Sequence, residues 1–571
     1  MKSNFGSRSK VIVLVFVFIA FIFGIKLFFV QILHGRTYSE LADRQYVTPA
    51  TNIFERGDVF FQSQDGTLVS AATQTQGYKL AVNPEKIKDK EKAYTAIHEI
   101  LPHVLHEEFI AKASKSNDPY EEIISGMTRE EADKISALKI AGIEIHKEKW
   151  RFYPGKNLAS QTLGFVAYRG DELSGRYGLE RQYDAVLTRN ADNPYVNFFA
   201  EVFSNIKDGL FSGEDKKGNI VTTIEPKVQT FLERELSDVQ KKYSVDQIGG
   251  IIMNPQDGAI YALSTKPDFD LNDFKSVKNP LLYRNPFVED VLEFGSVVKP
   301  LVMAAALDAK VVTANTTYTD HGMVTVDKKQ IYNFDKKGRG PNTTMQDVLN
   351  QSLNTGMVFT YQRLGKEKIR DYLYAFGIKE KTGIDLPNET SGLTSNLKAP
   401  RDLEYANAAF GQGIALTPIE MVRALASLGN KGVLVTPHIA ERIKYDDGTE
   451  KKLEYETKPT MISAAASEEI TRMLVTVMDK SLKNGEAKFP HYSIAVKTGT
   501  GQVANNQDGG YYEDRNTHSF FGYFPAYDPK FIVFLYAVNP KGVPYASQTW
   551  ADPFLDIAKY LINYYQVPPD R

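Results

Sequence analysis

Gly295-Ser296-Val297-Val298-Lys299-Pro300-Leu301-Val302-Met303-Ala304-Ala305-Ala306-Leu307 is the stretch from which the rest of the chain is read. A glycine before the serine, a proline four residues on and a following apolar run describe a helix start with proline in its first turn. Serine and lysine three residues apart then sit on adjacent turns of one helix face, where the amine can take the hydroxyl proton. The amino end of the helix favours negative charge developing on the serine oxygen. The S-x-x-K pattern occurs five times, at Ser7, Ser136, Ser204, Ser296 and Ser395, so the pattern alone selects nothing. Ser136, Ser204 and Ser395 lie in polar or loop-broken contexts, and Ser7 precedes a long apolar run.

Two further motifs follow in order. Ser352-Leu353-Asn354 comes 56 residues after Ser296, at the end of Met345 to Gln351. By itself an S-x-N triplet reads as a cap or turn. K-T-G occurs twice: Lys381-Thr382-Gly383 runs into Ile384-Asp385-Leu386-Pro387 and reads as a loop, whereas Lys497-Thr498-Gly499 follows the strand-like Tyr492 to Val496 and continues to Thr500-Gly501. A strand edge at the second copy would offer a cation, two hydroxyls and backbone N–H groups to an extended peptide, with Gly499 allowing close approach.

Composition narrows the class. At 571 residues with 42% hydrophobic content the chain holds two or more domains with real cores. Lysine plus arginine (68) nearly balance aspartate plus glutamate (70), so the formal charge of −2 points to no nucleic-acid partner. The absence of cysteine removes disulfide scaffolds, thiolate metal sites and cysteine nucleophiles, and suits an exported protein.

Val11 to Ile25 is an unbroken apolar run that continues to Leu33 past Lys26 and Gln31. At about 1.5 Å per residue, 11–33 spans a hydrocarbon core of about 30 Å. A cleaved signal peptide would be shorter and end in small residues, which are lacking after Gly24. Lys2, Arg8 and Lys10 place 1–10 in the cytoplasm by the positive-inside rule. The expectation is a single-pass cell-membrane protein with everything after about residue 34 outside.

From 34 to 218 the composition is mixed, with the alternating Gly77 to Val82 and a charged, helical-looking Lys86 to Glu122, read as a solvated face. From 219 to 571 the punctuation sharpens. Gly249 to Met253, a turn at Asn254 to Gly258 and Ala259 to Leu263 predict a β-hairpin. Phe531 to Val538 predicts a strand and Asp552 to Tyr565 a closing helix. Strands at both ends of a helical middle argue for an α+β domain.

The order S-x-x-K, S-x-N, K-T-G is that of penicillin-binding proteins and class A β-lactamases. The chain resembles a class B, monofunctional penicillin-binding protein over nearly its whole length. Arg56-Gly57-Asp58-Val59-Phe60, Arg151-Phe152-Tyr153-Pro154 with Gly164, and Gly175 to Glu180 resemble the family's pedestal motifs. Phe376-Gly377, Thr382 to Pro387, Gly411 to Pro418 and Ser519 to Tyr523 follow the order of its catalytic domain. Phe294 stands where the family often has proline.

The resemblance implies a penicillin-binding/β-lactamase-like transpeptidase domain at 219–571, an antiparallel sheet with a helical subdomain, on an elongated α+β, dimerisation-like pedestal at 34–218, behind the anchor at 11–33. It implies that Ser296 attacks the carbonyl of a D-Ala-D-Ala stem peptide and expels D-Ala, with Lys299 as general base. Ser352 would relay the proton to the leaving amine and Asn354 would orient Lys299 and the substrate amide. Lys497, Thr498 and Thr500 would bind the terminal carboxylate beside Gly499, and the N–H groups of Ser296 and Thr500 would form the oxyanion hole. A second stem peptide's amine would resolve the ester. No cofactor or metal is implied; peptidoglycan stem peptides, β-lactams, a SEDS-type glycosyltransferase and other divisome membrane proteins are. The chain length and the Tyr545 to Phe554 ending resemble the division-type enzyme more than the elongation-type.

Three rivals share the motifs. A β-lactam sensor would need a multi-span signalling region. A β-lactamase or D,D-carboxypeptidase would let water resolve the acyl-enzyme, and the long pedestal argues against it. A silent scaffold would not keep both Ser296 and Lys299.

Overall fold

The computed structural model of the chain describes residues 55–116, 118–169, 172–189, 216–504 and 510–571. The expected cytoplasmic tail and membrane anchor lie outside them, and no helix among the described residues is long and apolar enough to cross a membrane. The described residues form two compact units, one of 55 and 74–150, the other of 56–73, 151–189 and 216–571. The second draws in 56–73 and 151–189 from the segment assigned to the pedestal, because Val59, Phe61, Leu163 and Leu179 are buried in the same core as the C-terminal strands.

Strand β1 (Val59–Gln62) forms a hairpin with β2 (Leu68–Val82), whose residues 68–73 belong to the larger unit and 74–82 to the smaller. In the smaller unit follow α1 (Lys90–His98), α2 (His106–Ala113), β3 (Glu121–Met127), α3 (Arg129–Ala137) and β4 (Ile143–Phe152), whose last two residues belong to the larger unit. The charged run from Lys86 thus forms two helices and then the start of a strand. Asp89 caps α1 by accepting from Lys92 N–H, and Thr128 with Glu131 makes a capping box on α3. Leu80, Val82, Ile97, Phe109 and Ile135 close the core of this unit.

The larger unit begins again at β5 (Gly218–Thr222), which runs parallel to β1, and α4 (Pro226–Tyr243), which Glu225 caps with Pro226 at its first position. The expected hairpin is β6 (Gln247–Met253) and β7 (Ile260–Lys266). A 3₁₀ turn at Gly295–Val298 leads into α5 (Lys299–Asp308), then come α6 (Met345–Asn350), α7 (Asn354–Leu364), α8 (Pro418–Gly429), β8 (Ala440–Tyr445) and α9 (Ala464–Lys480). The chain closes with β9 (Ala495–Ala504), β10 (Tyr511–Phe524), β11 (Phe531–Val538) and α10 (Ala546–Tyr564).

The central sheet is antiparallel in the order β7-β6-β11-β10-β9. Phe531 to Val538 is apolar throughout because it is the middle strand, buried on both faces. Lys497-Thr498-Gly499 therefore lies on an edge strand of this sheet. Helices α4 and α10 pack together on the sheet through Phe231 and Tyr560, stacked at 4.0 Å, while α5, α8 and α9 pack as a second group. Helix α5 is apolar nearly all round, as a buried helix must be.

The closing helix begins at Ala546, six residues before the sequence expectation, and carries Pro553 inside it. Burial of Thr549, Trp550 and Ala551 and a bond from Trp550 Nε1 to the His518 carbonyl hold the first turns helical ahead of the proline. Tertiary packing here outweighs a local breaker.

The three pedestal-like motifs meet at one buried carboxylate. Glu180 accepts from Arg56 Nε and from Arg151 Nε, both at 2.6 Å, and from Tyr153 Oη at 3.3 Å. Arg56 also donates to Asp184 at 2.6 Å, Thr188 at 2.8 Å and the Glu180 carbonyl at 2.7 Å, so it is charge-compensated although 1% exposed.

Candidate active site

Ser296 opens on the 3₁₀ turn that feeds α5, and the turn exists because Gly295 adopts φ +64°. A Cβ at Gly295 would lie 2.6 Å from the Thr500 carbonyl oxygen, and one at Gly499 would lie 2.4 Å from that of Phe294. Backbone thus presses on backbone between the serine turn and β9. Ser519 on β10 fastens the junction, donating to the Phe294 carbonyl at 2.7 Å. Phe294, where the family often has proline, is buried edge-on against Phe534 at 5.2 Å and anchors the turn by packing.

Lys299, the first residue of α5, is fully buried. Its Nζ donates to the Ser352 carbonyl at 2.6 Å, to Asn354 Oδ1 at 2.8 Å and to Ser352 Oγ at 3.2 Å. Ser352 sits between α6 and α7 with φ +54°, a left-handed conformation uncommon for serine, which turns its carbonyl and hydroxyl to the lysine. From β9, Lys497 Nζ donates to the same hydroxyl at 3.0 Å and to the Thr498 carbonyl at 2.9 Å. Burial and, second, the Lys497 charge push the Lys299 pKa well below the ordinary lysine value. Burial lowers Lys497 to about 7. Neutral Lys299 keeps two N–H groups for the Ser352 carbonyl and Asn354 Oδ1 and turns a lone pair toward the longer, 3.2 Å contact with Ser352 Oγ, where it can accept a proton, and Ser352 lies between the two amines as a relay would.

Ser296, Lys299, Ser352 and Asn354 from the helical side and Lys497, Thr498, Gly499 and Thr500 from the sheet edge are brought to one place. No hydrogen bond joins Ser296 Oγ to Lys299 among the described residues. The other K-T-G copy is elsewhere: Thr382 caps a loop by donating to Glu389 at 2.7 Å.

Sequence reasoning missed several supports. Asn354 Nδ2 donates to the Tyr332 carbonyl at 2.9 Å, which directs its oxygen to Lys299. Asp320 and Asn333 brace the first turn of α7, accepting from Thr355 Oγ1 at 2.8 Å and Thr355 N–H at 3.2 Å. Glu293 accepts from Gly413 N–H at 3.1 Å and from Tyr511 Oη at 3.0 Å, tying β10 and the Gly411–Gly413 turn to the residues before Ser296. A backbone carbonyl and polar residues 22 to 218 positions away leave no local signal.

Residues 248–559 match the family model for the penicillin binding protein transpeptidase domain, and residues 55–201 that for the penicillin-binding protein dimerisation domain. The chain is 31% identical to Stage V sporulation protein D of Bacillus subtilis over 97% of its length and 85% of the relative's. It is 24% identical to the peptidoglycan D,D-transpeptidase FtsI of Buchnera aphidicola over 98% and 95% of the two chains. Among solved structures, penicillin binding protein 2X of Streptococcus thermophilus superposes with a TM-score of 0.71 at 19% identity, covering 90% of this chain and 81% of that one. Penicillin binding protein 3 of Mycobacterium tuberculosis, complexed with aztreonam, gives 0.68 at 20% identity over 91% and 98%.

Proposed function

The chain belongs to the class B penicillin-binding proteins, and on that premise we propose that it is a serine D,D-transpeptidase that cross-links peptidoglycan through an acyl-enzyme on Ser296. The observation that carries the residue roles is the meeting of Lys299 and Lys497 at the Ser352 hydroxyl, with Asn354 Oδ1 accepting from Lys299.

In this reading neutral Lys299 takes the Ser296 proton as Oγ bonds to the D-Ala-D-Ala carbonyl carbon. Ser352 returns a proton to the leaving D-Ala amine, and the carboxylate of the donor rests on Lys497, Thr498 and Thr500. The N–H groups of Ser296 and Thr500 receive the oxyanion, a device worth about 10²–10³ in rate per donor. The amine of a second stem peptide then releases the ester.

Relatives named peptidoglycan D,D-transpeptidase FtsI support a division-type role. The apolar run 11–33 supports a single membrane anchor with the catalytic domain outside the cytoplasm, and the resemblance to class B penicillin-binding proteins implies a SEDS-type glycosyltransferase and divisome proteins as partners.

Fluorescent penicillin should label the full-length chain covalently, and Ser296→Ala should abolish the label. Labelling that survives the substitution would remove Ser296 from its role. Supplied with a D-Ala-D-Ala donor and a D-amino acid acceptor, the enzyme should form the exchanged peptide; hydrolysed donor alone would favour a carboxypeptidase.

A further inference from the structure

Thr500 is held from behind by the closing helix. Its Oγ1 accepts a hydrogen bond, at 3.2 Å, from the backbone N–H of Ala546, the first residue of α10. The helix is fastened to the sheet at this same rung. Thr500 pairs with His518 across β9 and β10, Thr549 Oγ1 lies 2.8 Å from His518 Nδ1, and Trp550 Nε1 donates to the His518 carbonyl at 3.1 Å. His518 is fully buried, and burial lowers its pKa to about 4, so it brings no charge to the cleft.

Two consequences follow for the Thr500 hydroxyl. Tyr545, the residue before the helix, makes no side-chain cap, so Thr500 supplies an acceptor for one of the orphan N–H groups of α10. With a lone pair engaged by that N–H, the hydroxyl proton is left to donate away from the helix. The partial positive charge of the helix end also falls on this oxygen and strengthens it as a donor to an anion.

We propose that the Ala546 N–H is a positioning group that holds Thr500 as a hydrogen-bond donor to the ligand's carboxylate, so that the cleft's preference for carboxylate-bearing ligands depends on the amino end of α10. This rests on Thr500 being the carboxylate-binding residue proposed above.

Ala546→Pro tests it. Proline at the first helical position removes an N–H that no intrahelical bond uses, and Tyr545, at φ −129° and ψ 140°, already has the extended conformation required before proline. The measurement is the second-order rate of Ser296 acylation in the full-length chain, with benzylpenicillin and with its methyl ester, which lacks the charge. Ala546→Pro should lower the acid-to-ester rate ratio about tenfold, the size of one hydrogen bond to a charged group, while Ala546→Ser leaves it unchanged. Thr500→Val should lose the same selectivity, and adding Ala546→Pro to it should change nothing more.

An unchanged ratio in a normally melting Ala546→Pro enzyme overturns the proposal. Amide exchange gives a second measure that does not require the proline variant to fold: the Ala546 N–H should be protected in the wild type and exchange faster in Thr500→Val, and equal rates overturn it. Absence of any Ser296 labelling in the wild type would instead sink the parent reading.

Discussion

Lys299 and Lys497 reach the same hydroxyl, their ammonium nitrogens lying 3.2 and 3.0 Å from Ser352 Oγ. Two buried cations around one oxygen disfavour each other's charge, and burial together with the Lys497 charge discharges Lys299 although the Ser352 carbonyl and Asn354 Oδ1 accept from it.

The acylation rate should therefore trace a bell against pH. It rises as Lys299 loses its proton and becomes a base, then falls near pH 7 as Lys497 loses the charge that attracts the carboxylate. Lys497→Arg keeps its charge at all accessible pH and should flatten the falling limb. A falling limb that persists at the same pH in that variant would assign it to another group.

The same shift has a stability consequence. Between about 7 and the ordinary 10.5 the unfolded chain binds more protons at Lys497 than the folded one, so folding strengthens as pH rises through this window. The pH dependence of the melting temperature should lose part of this upward slope in Lys497→Met; an identical slope would refute the assignment.

Asn354→Asp should raise the Lys299 pKa, because a carboxylate would replace the amide oxygen now 2.8 Å from Nζ. At neutral pH penicillin acylation should fall by about tenfold or more, and the rising limb of the profile should move to higher pH. A lower rate with an unmoved limb would mean that Asn354 acts only on the ligand.

Gly499→Ala should separate β9 from the serine turn, since its Cβ would meet the Phe294 carbonyl oxygen and Ser519 Oγ, both at 2.4 Å. Loss of the oxyanion geometry should lower acylation by about 10²-fold. Gly383→Ala, in the other K-T-G copy, should leave the rate of penicillin acylation within about twofold of wild type; a comparable loss there would place that loop at the site.

Glu180→Ala leaves two buried guanidinium groups without their shared carboxylate and should cost about 3–5 kcal/mol, measured by urea unfolding. A shift under about 1 kcal/mol would show that water or Asp184 replaces the lost charge.

Much of the fold was legible because it rests on local pattern. The hairpin around Asn254 to Gly258 and the strand Phe531 to Val538 follow from turn chemistry and apolar runs, and α5 from its glycine, proline and alanines. The start of α10 was not legible, since Pro553 reads as a breaker until His518 and the sheet are present to hold the turns before it.

The sequence by itself determined the candidates: Ser296 by its helix-start context, which lies within a few residues of it, and Ser352 and Lys497 by their order along the chain. Only the tertiary structure decided what those residues experience. The burial that discharges Lys299, the Tyr332 carbonyl that aims Asn354, the Ala546 N–H behind Thr500 and the convergence of Arg56 and Arg151 on Glu180 all join positions far apart in the chain. Desolvation and hydrogen-bond direction depend on distance in space, which spacing in sequence does not encode.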